Sequence, residues 1–193
     1  MRILVLHAHP VAESYNGHLH RLIVDRLETA GHEVDDCDLY AEGFDPRLSR
    51  DERLNYHEIG LNIEPVKEYV ERLRAAEALV MSYPVWNFGY PAMLKGFFDR
   101  VFLPGVSFDI VDGKVRPCLH NIRKVGVVTT YGGSRLRAFL VGDPPRKAVN
   151  RVLRVIVKPG APVGYHAHYD MNRSTDETRK RFIARVEKAM DAF

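Results

Sequence analysis

Three stretches combine residue types suited to holding a flat, phosphorylated molecule: HAHPVAESYNG at 7–17, YPVWNFGYP at 83–91 and TTYGGS at 129–134. In the first, Ser14, Tyr15 and Asn16 stand just before a helical pattern, where unpaired backbone N–H groups and a partial positive charge attract phosphate. A hydroxyl or amide there also serves as an ordinary helix cap, and either role fits Ser14 or Asn16 taken alone. The second crowds Trp86, Phe88 and Tyr90 between two prolines. Exposed aromatics on a loop are costly unless they cover something, and a planar isoalloxazine ring would suit them, as would packing beneath the loop or in a subunit contact. The third carries Gly132-Gly133, which let a backbone approach a ligand closely and are also common turn residues.

Other chemistries find less support. The first loop lacks G-x-G-x-x-G and a Walker A pattern, which disfavours a dinucleotide-binding turn and triphosphate hydrolysis. His-x-His pairs occur at 7/9, 18/20 and 166/168. Two residues apart on a strand share a face, whereas His18 and His20 on a helix do not. With no H-E-x-x-H, no metal ligand set is assigned. Arg135 and Arg137 could favour an anionic group such as a 2′-phosphate, or form a solvated face.

These loops need elements to hold them. Ile3–Leu6 is a continuous apolar run, the signature of a strand covered on both faces. Leu19, Leu22, Ile23 and Leu27 recur at helical spacing, with Gly31 at the expected cap. The second strand is expected over 32–39, the third over 78–83, the fourth over 124–130 and the fifth over 162–169. Helices are expected over 65–76, from Pro91 onward, over 144–157 and over 175–193, with 40–58 as loop and a hairpin at Asp112-Gly113. Alternating strands and helices imply a parallel sheet covered on both faces, whose ligands sit at the carboxyl ends of the strands. All three loops fall at such ends.

Length and composition agree with one domain. The chain has 193 residues, 46% hydrophobic and 27% charged, with a net charge of +3 and no block of like charge. Nucleic acid is not an expected partner. Two cysteines, Cys37 and Cys118, fit a reducing compartment, so a cytoplasmic location is expected. No stretch approaches the roughly 20 apolar residues of a membrane span.

The run YPVWNFGYPAMLKGFFDRVF at 83–102, with the first loop and TTYGGS, resembles the flavodoxin-like NAD(P)H:quinone oxidoreductases, including bacterial quinone reductases and potassium-efflux ancillary oxidoreductases. The resemblance implies a flavodoxin-like, doubly wound, five-stranded parallel α/β sheet over 1–193. It implies a bound flavin, FMN in preference to FAD, with NAD(P)H as donor and a quinone-like acceptor in a ping-pong scheme. His9 would lie beside the flavin phosphate, and Ser14, Tyr15 and Asn16 would bind the phosphate and ribityl region. Pro84, Val85, Trp86, Asn87 and Phe88 would line the ribityl chain and ring, and Thr130, Tyr131, Gly132 and Gly133 would close over its other side. A homodimer with the site at its interface is implied as well. Azoreductase or nitroreductase activity, and a flavin-binding regulatory role beside a potassium-efflux transporter, are alternatives of the same resemblance. The Tyr and His that follow Gly-Gly in some members are absent from Ser134–Phe139, so no catalytic side chain is transferred.

Overall fold

In the computed structural model, which describes residues 1–193, the first strand β1 (Arg2–His7) feeds helix α1 (Tyr15–Thr29). The chain returns as β2 (Glu33–Asp38), passes a short α2 (Arg50–Leu54), and enters α3 (Lys67–Ala75) and β3 (Ala78–Val85). Then follow α4 (Ala92–Val101), a hairpin of β4 (Phe108–Val111) and β5 (Lys114–Pro117), and β6 (Lys124–Tyr131). After β6 come α5 (Arg135–Leu140), α6 (Pro144–Lys147), α7 (Arg154–Ile156), β7 (Val163–His168) and α8 (Asp176–Asp191). The main sheet has five strands in the order β2-β1-β3-β6-β7, every neighbouring pair parallel. This is the flavodoxin-like arrangement, and strand order reverses between β1 and β3.

The central strands are buried on both faces, which explains their unbroken apolar runs. A larger cluster, including Leu4, Leu6, Leu79, Met81, Val125 and Val127, meets α3 and α4 on one side. Ile3, Val5, Val80 and Val128 point to the other, against Leu19, Ile23 and Leu27 of α1 and Phe182, Val186 and Met190 of α8. Alternate residues of one strand thus seed two cores. Helix α1 ends as the sequence demands, with Gly31 at φ 83° just beyond the cap.

Several elements differ from expectation. The stretch expected as loop contains α2, held by a capping box of Ser49 and Glu52 and by the partly buried Glu52–Arg100 ion pair at 2.6 Å. The expected helix over 144–157 is two α-helical pieces around a π-helical stretch, Ala148–Leu153, which accommodates wider backbone spacing than an α-helix. Helix α5 was not expected: Leu136, Phe139 and Leu140 have helical spacing, but the helix is only six residues long and these side chains are exposed.

Gly96 on α4 lets that helix lie directly on Pro46: a Cβ at this position would stand 2.3 Å from the Pro46 carbonyl oxygen and 2.5 Å from its Cα. The expected outcome for Gly96→Ala is a loss of about 1–3 kcal/mol from this overpacking, read as a lower urea midpoint with an unchanged slope.

Candidate flavin-binding cleft

The crevice lies where β1, β3 and β6 end. Leaving β1, the chain is held by Ala8 N–H donating to Ser82 O at 3.1 Å, and it turns at Ser14, whose N–H donates to Val11 O at 3.2 Å. Ser14 caps α1, its Oγ accepting from Gly17 N–H at 3.0 Å. Arg21 donates to Ala12 O at 2.7 Å, fixing the loop from the helix side. The loop lies so close to α1 that a Cβ on Gly17 would meet the Ala12 carbonyl oxygen at 2.2 Å. First-turn N–H groups have no partner in the helix's own ladder.

One cavity of about 360 Å³ is lined by His9, Ser14, Tyr15, Asn16, Pro84, Val85, Trp86, Thr130, Gly132, Met171 and Asn172. Asn16 is buried, with its amide nitrogen donating to Thr130 Oγ1 at 3.3 Å. Its carbonyl oxygen Oδ1 is fully shielded and has no partner. A buried acceptor left unpaired is expensive, and in a cleft wall a donor on a bound ligand would satisfy it. His9 Nδ1 accepts from Val11 N–H at 3.0 Å and lies 3.1 Å from Ser14 Oγ. Accepting at Nδ1 leaves the ring proton on Nε2. Its ring tilts against Trp86, with centroids 5.8 Å apart. Trp86, the sole tryptophan, is 42% exposed. The Tyr15 hydroxyl is 3.2 Å from His168 Nδ1. Burial pushes the phenol up to about 12, against the opposing pull of Arg179 and Arg185, so it stays protonated.

The turn after β3 is closed by reciprocal bonds, Trp86 N–H to Gly89 O at 3.2 Å and Gly89 N–H to Trp86 O at 2.9 Å. Its central residues, Asn87 and Phe88, have φ of 49° and 56°. A phenylalanine in that region is uncommon, and such conformations concentrate at ligand sites.

Not every anticipated residue reaches the cavity. Asn87 is exposed at the turn, and Phe88 packs toward Tyr131 and Ala138. Gly133 lines an adjoining polar cavity. Tyr131 does not line the cavity. Its side chain is buried beneath the cleft, with its hydroxyl 2.7 Å from both Asp143 Oδ1 and Tyr165 Oη. Tyr131 is the last residue of β6, opposite Val85, and the preceding Thr130 lines the cleft. Met171 and Asn172 were missed. They follow β7, whose carboxyl end joins the same edge, and that position was their only signal.

Behind the first loop, the structure gathers His7, His20 and Asp38 with potential ligand atoms within 4.8 Å of one another. The two imidazoles stack with centroids 4.0 Å apart and planes 3° from parallel. Lone pairs of parallel rings run side by side rather than converge on an ion. His20 Nε2 instead pairs with Asp36 at 2.7 Å.

The geometry defines an open, parallel α/β protein with a polar and aromatic crevice at its topological switch point. A family model described as a flavodoxin-like fold matches residues 1–156, and the chain belongs to that family. It is 33% identical over 125 residues to the human (Homo sapiens) ribosyldihydronicotinamide dehydrogenase (quinone), covering 56% of this chain and 54% of that protein. It is 30% identical over 135 residues to the uncharacterized NAD(P)H oxidoreductase YcaK of Escherichia coli (strain K12), covering 69% of this chain and 66% of that one. The chain spans about half the length of the human relative and 45% of the ribosyldihydronicotinamide dehydrogenase-like protein traD of Penicillium crustosum, to which it is 37% identical over 122 residues. Among solved structures, the NAD(P)H:quinone oxidoreductase from Methanothermobacter marburgensis superposes with a TM-score of 0.84 at 28% identity, covering 99% of this chain and 96% of that chain.

Burial, reinforced by His20, lowers His7 to about 4, against weaker upward pulls from Asp38 and the Ser82 carbonyl. The unfolded chain takes up this proton below about pH 6.5, while the folded protein refuses it until near pH 4. Stability is therefore expected to fall as pH drops through that window and to level off below it. Urea midpoints against pH check this, and His7→Gln should flatten the decline.

Proposed function

We propose that the chain is a flavin-dependent NAD(P)H oxidoreductase that passes reducing equivalents to a quinone-type acceptor by a ping-pong scheme. The observation that carries this is the unpartnered Oδ1 of buried Asn16 in the wall of the switch-point cleft. The names of the quinone dehydrogenases and oxidoreductases to which the chain is similar support it. FMN is the proposed cofactor, in preference to FAD. When bound, the flavin supplies a two-electron carrier that NAD(P)H can reduce and a quinone can reoxidise.

The chain's part is binding and orientation. The first-turn amides of α1, with Ser14 and His9, would take the phosphate. Asn16 and Thr130 would meet the ribityl chain, and Asn16 Oδ1 would accept from it. Trp86, Val85 and Pro84 would form one wall of the ring site, with Gly132 giving close backbone approach on the other. No side-chain acid or base is required. Cys37 and Cys118 are unpaired, in keeping with a reducing compartment such as the cytoplasm.

Steady-state kinetics of FMN-loaded protein, varying NAD(P)H at several fixed benzoquinone concentrations, should give parallel double-reciprocal lines. Intersecting lines would contradict the scheme, and turnover with azo or nitro acceptors but not quinones would redirect the acceptor class. Asn16→Ala is expected to weaken FMN about tenfold or more, measured by quenching of Trp86 fluorescence.

We also propose a homodimer with this cleft at its interface. Helix α5, directly after Gly132–Ser134, presents Leu136, Leu140 and Phe139, the last 75% exposed, beside a cleft that leaves Trp86 open. Apolar exposure of this kind marks an interaction face. Sedimentation should give twice the chain mass, shifting to the monomer in Phe139→Asp.

A further inference from the structure

A second cavity of about 170 Å³ adjoins the cleft, sharing Gly132 and Asn172 with it. Its other lining residues are Gly133, Ser134, Arg137, Asp170 and Arg173, so no hydrophobic side chain contributes. Two loops form it, and they are joined by backbone bonds. Asp170 N–H donates to Gly133 O at 2.8 Å, and Asn172 N–H to Gly132 O at 3.4 Å. The loop after β6 and the loop after β7 therefore hold a fixed gap between them.

Two arginines and one aspartate line this gap. The stem of Arg137 lies over Gly133, its Cβ and Cδ each 3.8 Å from where a Gly133 Cβ would be. Neither Arg137 nor Arg173 makes a side-chain hydrogen bond or ion pair with a carboxylate. Nearby Arg179 and Arg181 do have partners, Asp176 and Glu177, at 3.7 Å and 3.9 Å. Ser134 Oγ accepts from Arg137 N–H at 3.3 Å as a helix cap, and its own proton remains free to donate. Paired arginines, a hydroxyl and exposed glycine backbone are the donor set that suits a phosphate dianion. Arg135, the other arginine singled out in the sequence, does not take part. It lines a different cavity, with Phe139, Arg146 and Arg151.

We propose that this cavity receives the 2′-phosphate of NADPH, with Arg137 and Arg173 as its cations, and so selects NADPH over NADH. The inference rests on the adjacent cleft using a nicotinamide dinucleotide as donor. A 2′-hydroxyl in the same place leaves the two guanidiniums without an anion, while a phosphate outweighs the single Asp170 charge. Arg137 and Arg173 thereby act as specificity determinants and take no part in hydride transfer.

The test has two readouts. Calorimetric titration with 2′,5′-ADP and with 5′-AMP compares binding with and without the 2′-phosphate. Steady-state kcat/KM for NADPH and NADH gives the same comparison during turnover. The expected result is a preference of about tenfold or more for the 2′-phosphorylated member of each pair. It should shrink severalfold in Arg137→Gln and in Arg173→Gln, chiefly through KM, and persist in Arg135→Gln. Equal binding of both nucleotides, or a preference that survives both substitutions, overturns the proposal. Equal use of NADH and NADPH by a flavin-loaded, quinone-reducing protein would remove this inference alone. Arginine-dependent 2′,5′-ADP binding in a protein that holds no flavin would instead remove the flavin reading and leave the anion subsite standing.

Discussion

Strand β1 is paired in parallel on both edges, with β2 on one side and β3 on the other. Parallel pairing forces each connection to cross over a face of the sheet, so successive crossovers from this strand pair leave in opposite directions. The crossovers part at the carboxyl edge and cannot fill the space between them. The register then sets which residues end the strands at that edge: His7 opposite Ser82, Val85 opposite Tyr131 and Thr130 opposite His168. Every part of the cleft follows from this edge. The first loop must turn immediately into α1, which places the helix's free amides at the crevice. The loops after β6 and β7 must meet across it, which creates the polar gap beside Gly132.

The floor of the site is stiff, whereas its rim carries unsatisfied groups. Below, Thr129 Oγ1 donates to Tyr83 O at 2.7 Å, tying β6 to β3. The Tyr131–Asp143–Tyr165 network anchors the end of β6 to the chain beyond α5. Burial pushes the Tyr131 phenol upward, reinforced by Tyr165 and Asp143, so it works as a fixed donor. Above, Asn16 Oδ1 is unpaired, Phe88 sits at positive φ, and Arg137 and Arg173 line a shared gap. A hydrogen-bonded base beneath a rim with groups left for a ligand is the division a binding site needs.

The architecture was legible because buried parallel strands leave a signal independent of tertiary detail. Runs such as Ile3–Leu6 and Ala78–Tyr83 have no other economical home, and the alternation of strand and helix then leaves few topologies. Helix α2 was hidden because its stability comes from a cap and a distant ion pair, with no apolar stripe. Helix α5 was hidden because six residues are too few to establish a helical period, even with Leu136, Phe139 and Leu140 at helical spacing. At the cleft, loop position identified Ser14, Asn16, Trp86 and Thr130. Which way a side chain points depends on where a strand stops. Thr130 lines the cleft while its neighbour Tyr131 is buried in a hydrogen-bond network with Asp143 and Tyr165, and composition does not encode that difference. Asn172 and Met171 carried no distinctive chemistry at all, and only the closing of the sheet by β7 brings them in.

The most direct test of the account is the absorbance spectrum of the protein after mixing with excess FMN or FAD and desalting. The account predicts flavin bands near roughly 370 and 450 nm that travel with the protein and bleach when NAD(P)H is added without air. Protein that emerges colourless at micromolar concentration, with Trp86 emission unchanged by either flavin, would contradict it and return the three loops to a structural role.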